Sequence, residues 1–339
     1  MRVGIIGGGF GLRVQYPIIQ THPHMDVVSV CTMSRHCLHE TLQQGINHYK
    51  DWKKMIDNEQ LQILFVSTIA LHHYSIVKYA IQKGIHIVCE KPFMMNQEQS
   101  LEIVNMAKQY DVKVVVDFEW RYFPIRQRAK ELLDKQKIGD ILHIEHHISS
   151  ARYETLTNEA LGWMGKKEKF GGMLGALGTH MIDNVRWMTS QEITYVQGML
   201  HTHIQNGGGE RRDADDAFFI HGLINYHISF SLQLLSGIHH EFDSMLKVFG
   251  TKGTLVIEND QRILLGESTQ AFEELNLELS PVPYHLSPEQ KAYYPALYAL
   301  IDKTYIYITT DRVDRDLPTA VDGHFNQQIL EQLLYKSNL

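Results

Sequence analysis

The run IHIVCEKPF puts Glu90, Lys91 and Pro92 at the C-terminal end of a stretch rich in Ile and Val. A lysine there can trade a proton with a hydroxyl or a carbonyl, because an amine held away from bulk water gives up its charge more readily. Glu90 is placed to orient it, and Pro92 fixes the backbone just beyond. The plainer reading of Lys91 is a surface residue in a strand-to-helix loop. A second chemical signal opens the chain, where RVGII runs directly into Gly7-Gly8-Gly9-Phe10-Gly11. Glycines at the end of a first strand let the backbone approach a pyrophosphate, and the helix that follows turns unpaired N–H groups toward the negative charge. Gly7 and Gly9 take the first two positions of G-x-G-x-x-G, while Leu12 stands at the third with Gly11 one place early. The alternative is a tight strand-to-helix turn.

A dinucleotide site that prefers NAD usually carries an acid at the end of strand two, for the ribose 2′-hydroxyl. Here that strand runs Val30-Cys31-Thr32-Met33-Ser34-Arg35, with no acid. Ser34 and Arg35 suit a 2′-phosphate instead, which favours NADP over NAD as the cofactor. The competing reading of Arg35 is a solvated residue of the next helix.

The elements that must position these residues are legible as pattern. From residue 1 to about 120, RVGII, DVVSV, QILFVS, IHIVCE and VKVVVDF alternate with helix-like segments, as in a doubly wound parallel sheet of Rossmann type. Beyond Gly139 the runs ILHIEHHIS, FFIHGLINY, HISFSLQLL and MLKVFG alternate with period two, as in an open, mostly antiparallel sheet with one wet face. The expected organisation is α/β: a dinucleotide-binding domain over 1–120 and an α+β domain for substrate binding and oligomerisation over 121–339. TKGT reads as a hairpin turn, NGGGERRDADD as a mobile loop, and the segments near 288–308 and 319–337 as helices packing back on the body.

Composition narrows the partners. A formal net charge of -7 gives no reason to bind nucleic acid or an anionic membrane, which both need clustered positive charge. The three cysteines form neither a C-x-x-C pair nor a disulfide framework, no metal site is expected, and no stretch has the length of a membrane span. These features suggest a cytoplasmic protein.

The strings GIIGGGFG, STIALHHYSIVKYAIQKGIHIVCEKP, DFEWRYFP and GGMLGALGTHMID, with FGTKGTL and PTAVDG later, resemble the glucose-fructose oxidoreductase / inositol dehydrogenase family (Gfo/Idh/MocA) over nearly the whole chain. The resemblance implies hydride transfer between a nicotinamide and a sugar, polyol or related cyclic alcohol. It assigns Lys91 to nicotinamide and substrate, and His180 to the second acid/base position, with Asp183 three residues on along the same helix face. It makes Phe10, Thr68, His73, Glu90, Pro92 and Arg121 neighbours of the cofactor, and Arg152, Tyr153 and Trp163 candidates for the substrate pocket. It also implies a homodimer or homotetramer built on the open sheet. Trp120 and Tyr122 read as core.

Two departures stand out. Many polyol dehydrogenases of that family carry an aspartate four residues before the histidine, where this chain has Ala176, and Ile69 stands where a proline is usual. Three activities therefore stay open: oxidoreduction, hydrolysis through transient oxidation as in NAD-dependent glycosidases, and dinucleotide binding without turnover.

Overall fold

The computed structural model describes the whole chain except residues 34–41, 43, 44, 278 and 337–339. The chain gathers into two compact units, Met1–Tyr122 with Ser280–Gln327, and Phe123–Leu279 with Gln328–Leu339.

In the first unit six strands, β1 (Arg2–Ile6), β2 (Asp26–Cys31), β3 (Asn47–Tyr49), β4 (Ile63–Val66), β5 (His86–Cys89) and β6 (Val114–Val116), form one parallel sheet in the order β3-β2-β1-β4-β5-β6. Both faces are covered, so β4, with all four residues buried, reads as an unbroken apolar run. The order reverses between β1 and β4, and at such a switch point a crevice opens beyond the strands' C-terminal ends. The connecting helices are α1 (Tyr16–Ile19), α2 (Trp52–Asn58), α3 (Ala70–Gln82) and α4 (Gln97–Gln109). Asp51 caps α2 by accepting from the Lys53 and Lys54 amides, and Asn96 caps α4 by accepting from Gln99.

The second unit holds α5 (Pro124–Asp134), β7 (Ile141–Ser149), α6 (Tyr153–Asn158), α7 (Thr179–Thr189), β8 (Ile193–His201), the small hairpin β9 (Asn206–Gly207) and β10 (Glu210–Arg211), then β11 (Ala217–Ile224), β12 (Ile228–Leu235), β13 (Ser244–Gly250), β14 (Gly253–Glu258), β15 (Arg262–Glu267) and β16 (Glu273–Glu274). Eight of these strands build a sheet in the order β16-β15-β14-β13-β7-β12-β11-β8, in which only β7 and β12 pair in parallel. Helices α5 and α7 pack on this sheet, and α7 is buried almost throughout. On the far face Leu223, Phe219, Tyr195, Met199, Phe249 and Met245 surround a polar centre that includes the Lys247–Glu145 ion pair.

Two expectations need correction. Residues 280–327 join the first unit rather than the second: α8 (Pro288–Thr310) and the first residues of α9 (Ala320–Lys336) belong to it. The reason lies at the free edge of β6, where Val116 N–H donates to Pro318 O at 2.9 Å and Val115 bridges Thr319. That pairing satisfies the backbone of an edge strand. The segment 206–216, expected as a mobile loop, instead opens with the β9–β10 hairpin over 206–211. It is pinned by buried Arg212, which donates to the carbonyls of Leu156 and Glu159, and by Asp216, which accepts from His203 and Ile204.

Candidate active site

The glycine loop is built as a phosphate cradle requires. Gly7 has φ +143, and a Cβ there would lie 2.1 Å from the Ser67 carbonyl oxygen, so a side chain has neither the conformation nor the room. A Cβ on Gly11 would meet the Ser67 Cβ at 2.8 Å, which lets the helix start pack against β4. At Gly9, by contrast, a Cβ would meet nothing within 4 Å, so that residue faces open space. A single π-turn over Gly11–Gln15 leads into α1, and the chain is helical from Phe10 onward. These residues fit a dinucleotide pyrophosphate: close packing at two glycines and free space at the third.

From the first helical turn Gln15 reaches the ends of the neighbouring strands. Its amide nitrogen donates to Glu90 at 2.9 Å and to Asp117 at 2.7 Å, and its amide oxygen accepts from the Ser67 hydroxyl. Gln15 and Asp117 are buried, and Lys91 sits next in chain to Glu90, its backbone N–H 3.3 Å from the Glu90 carboxyl. Burial pushes the Glu90 carboxyl well above the usual range, and the Asp117 charge adds to the shift. Burial likewise raises Asp117, to about 6, while hydrogen bonds from Gln15 and Glu90 oppose the rise. Both carboxyls are thus raised at once, and the charge of Lys91 opposes the rise in each.

Other residues expected beside a cofactor are occupied as braces. His73 is fully buried, with Nδ1 3.1 and 3.2 Å from the carbonyls of Pro92 and Phe93 and Nε2 3.0 Å from that of Thr68. Burial lowers its pKa while the three carbonyls oppose the shift, and the ring, packed between the Lys91–Pro92 turn and the end of β4, presents no surface to a ligand. Arg121 is buried too: it pairs with Asp322 at 2.8 Å and donates to Asp316 O at 3.2 Å. Asp322 also accepts from the Thr319 N–H, so Arg121 secures the segment that closes the edge of β6. Thr68 donates to the next carbonyl, and Ser34 and Arg35 lie outside the described residues. Phe10 meets Tyr293 of α8 edge-on at 5.1 Å, and Arg13 pairs with Glu289 at 2.9 Å, so the start of α8 backs the glycine loop.

In the second unit His180 and Asp183 are both buried on α7, and Asp183 lies 3.7 Å from Arg186. The helix start that carries them is capped by Asp215, which accepts from the Leu174 N–H at 2.8 Å. Gly172, with φ +96, leaves no room for a Cβ beside that carboxylate. One turn beyond His180 stands Asn184, buried, with neither side-chain polar atom bonded in the structure. Arg152 and Tyr153 are half-buried at the start of α6, Tyr153 lies against His239 at 4.1 Å, and Trp163 is exposed. Sequence reasoning missed Gln15, Ser67, Asp117 and Asn184. Only Asp117 left a signal, an acid directly after three valines.

Comparison with known proteins follows the same division. Residues 1–118 match the model of an oxidoreductase family with an NAD-binding Rossmann fold, and residues 126–256 match the GFO/IDH/MocA C-terminal domain. An uncharacterised oxidoreductase of Synechocystis is 25% identical over 270 residues, covering 77% of this chain and 72% of that protein. A levoglucosan dehydrogenase of Pseudarthrobacter phenanthrenivorans is 29% identical over 170 residues, 48% of this chain and 43% of that one. A solved levoglucosan dehydrogenase in complex with NADH and levoglucosan has the same fold, with a TM-score of 0.86 at 20% identity over 100% of this chain and 97% of that chain. No helix among the described residues is long and apolar enough to cross a membrane.

Proposed function

The chain belongs to the Gfo/Idh/MocA oxidoreductase family, whose N-terminal part is an NAD-binding Rossmann fold, and we propose on that footing that it oxidises or reduces a sugar, polyol or related cyclic alcohol or ketone. The observation that carries this reading is the Gln15 bridge: the helix leaving the glycine loop is hydrogen-bonded to the residue preceding Lys91. A phosphate cradle and a strand-end lysine in a single crevice suit a dinucleotide and the proton chemistry that accompanies its use.

The bound nicotinamide supplies hydride transfer. Lys91 takes the proton of the substrate hydroxyl during oxidation and returns it during reduction, and His180 is the second acid/base group. Asp183, three residues on along the same helix and 3.7 Å from Arg186, completes the catalytic set with them. Arg152, Tyr153 and Trp163 contribute to substrate binding, and a second copy of the chain covers the open sheet face.

The test is a substrate panel followed by nicotinamide absorbance with both NAD and NADP. Turnover on a sugar or polyol is expected, with Lys91→Ala slower by roughly a hundredfold or more, the scale for losing a positioned acid/base group, at little-changed cofactor affinity. Wild-type turnover in Lys91→Ala overturns the mechanism. Ala176 favours a second reading, dinucleotide binding without catalysis, which tight cofactor binding with no turnover across the panel would support.

A further inference from the structure

The residue just past β2 is Thr32, at the place where a dinucleotide-binding sheet chooses between its cofactors. Cys31 before it accepts from the Gly7 N–H at 2.9 Å, so this strand end lies against the first glycine of the phosphate loop. The Thr32 N–H donates to Tyr49 O at 3.1 Å, and Met33, with φ +53, ends the strand there. An acid at this place accepts from the ribose 2′-hydroxyl of NAD and repels the 2′-phosphate of NADP. Thr32 carries no charge, and its hydroxyl lies 2.8 Å from Nε2 of His48 on β3.

His48 lies on the face of the sheet that carries the glycine-loop helix. Ile5, Val30 and His48 are in register across β1, β2 and β3 and so share one face. The helix packs on that face, since a Cβ on Gly11 would meet Ile5 Cγ2 at 3.1 Å. Asn47 and Tyr49 point the other way, where both donate to Glu59, at 2.8 and 2.6 Å. His48 is half-buried, which leaves part of its ring open to a ligand. A neutral imidazole and a hydroxyl together hold two hydrogen-bonding protons, and the bond between Thr32 and His48 uses one. The second sits on Nδ1 or on the hydroxyl according to the ring's tautomer, so in either form the pair is a donor toward a third group. A 2′-hydroxyl gains one neutral bond from that donor, whereas a 2′-phosphate gains a stronger, charge-assisted one.

We propose that Thr32 and His48 read the 2′ position of the dinucleotide's adenosine and select a 2′-phosphate, with His48 the specificity-determining residue. The proposal rests on the reading of the glycine loop as a dinucleotide site and involves neither Lys91 nor turnover.

Calorimetry on the full-length protein with adenosine 2′,5′-bisphosphate and with 5′-AMP isolates the 2′ group. The wild type is expected to bind the bisphosphate about tenfold more tightly or better. His48→Val should weaken the bisphosphate by about tenfold, the contribution of one charge-assisted bond, and leave 5′-AMP within about twofold. If His48 were only a brace between β2 and β3, His48→Val would lower the thermal midpoint and shift both ligands together or neither, and that result overturns the proposal. Thr32→Asp puts an acid at the strand end and should abolish the preference for the bisphosphate; a preference that survives it also overturns the proposal. Thr32 is buried, so if that variant fails to fold, His48→Val decides alone. Wild-type binding of NADH and 5′-AMP without preference for the bisphosphate sinks this inference and leaves the oxidoreductase reading standing. Failure of the wild type to bind NADH and NADPH at all overturns the dinucleotide reading, and the inference with it.

Discussion

Two neighbouring glycines of one loop should respond to a side chain in opposite ways. At Gly7 the backbone sits at φ +143 and an added Cβ would be 2.1 Å from Ser67 O and 2.5 Å from Ser67 C. The loop cannot slide away, because the Gly7 N–H donates to Cys31 O at 2.9 Å and the Ser67 N–H donates to Ile6 O at 2.7 Å. Backbone strain of about 1–3 kcal/mol and displacement of packed atoms worth about 1–3 kcal/mol more predict that Gly7→Ala loses about 2–6 kcal/mol, a large part of the total stability of about 5–15 kcal/mol that is usual for a domain. At Gly9 an added Cβ meets nothing within 4 Å, so Gly9→Val should stay within about 0.5 kcal/mol of wild type. It should nevertheless lose dinucleotide binding, because that open space is where the pyrophosphate belongs. Urea unfolding and calorimetry with NADH and NADPH separate the two effects. Normal cofactor binding by Gly9→Val, or wild-type stability of Gly7→Ala, would refute the reasoning.

Arg121→Met breaks the ion pair of buried Arg121 with half-buried Asp322 and should destabilise the protein by about 1.5–3 kcal/mol, read as a lower thermal midpoint, while leaving the cofactor affinity of the folded protein unchanged; a loss of affinity at full stability would return Arg121 to the cofactor. Asp117 is an acid raised on folding from about 3.8 to about 6, so between those values the native state binds more protons than the unfolded chain and stability falls as pH rises. The loss amounts to about 3 kcal/mol at most over that window, and Asp117→Asn should flatten the curve measured by urea unfolding from pH 4 to 7. NADPH should bind more tightly than NADH, and Arg35→Ala should weaken NADPH alone by about tenfold, the worth of one charge-assisted bond; equal calorimetric affinities for the two cofactors in the wild type would sink that preference.

Much of this architecture was written in local pattern. Unbroken Val and Ile runs separated by helical spacing demand a parallel sheet with both faces covered. Period-two alternation after Gly139 demands a sheet with one face open. Glycines at the end of β1 and a lysine at the end of β5 carry their own meaning, because a strand's C-terminal end is where this class of sheet binds ligands. Each of these depends on neighbours a few residues away, which is why sequence alone determined them. Contacts between distant segments are different, because no local pattern records which side chain will be opposite. Gln15 meets Glu90 across 75 residues and Asp117 across 102, and the pairing of Arg121 with Asp322 spans 201. His73 and Arg121 carry the residue types of a binding site, yet the tertiary structure turned both into braces, since a buried donor must find an acceptor wherever packing puts one. The same requirement at the open edge of β6 drew residues 280–327 back to the first unit, and in 206–216 the buried Arg212 found its acceptors in the carbonyls of Leu156 and Glu159.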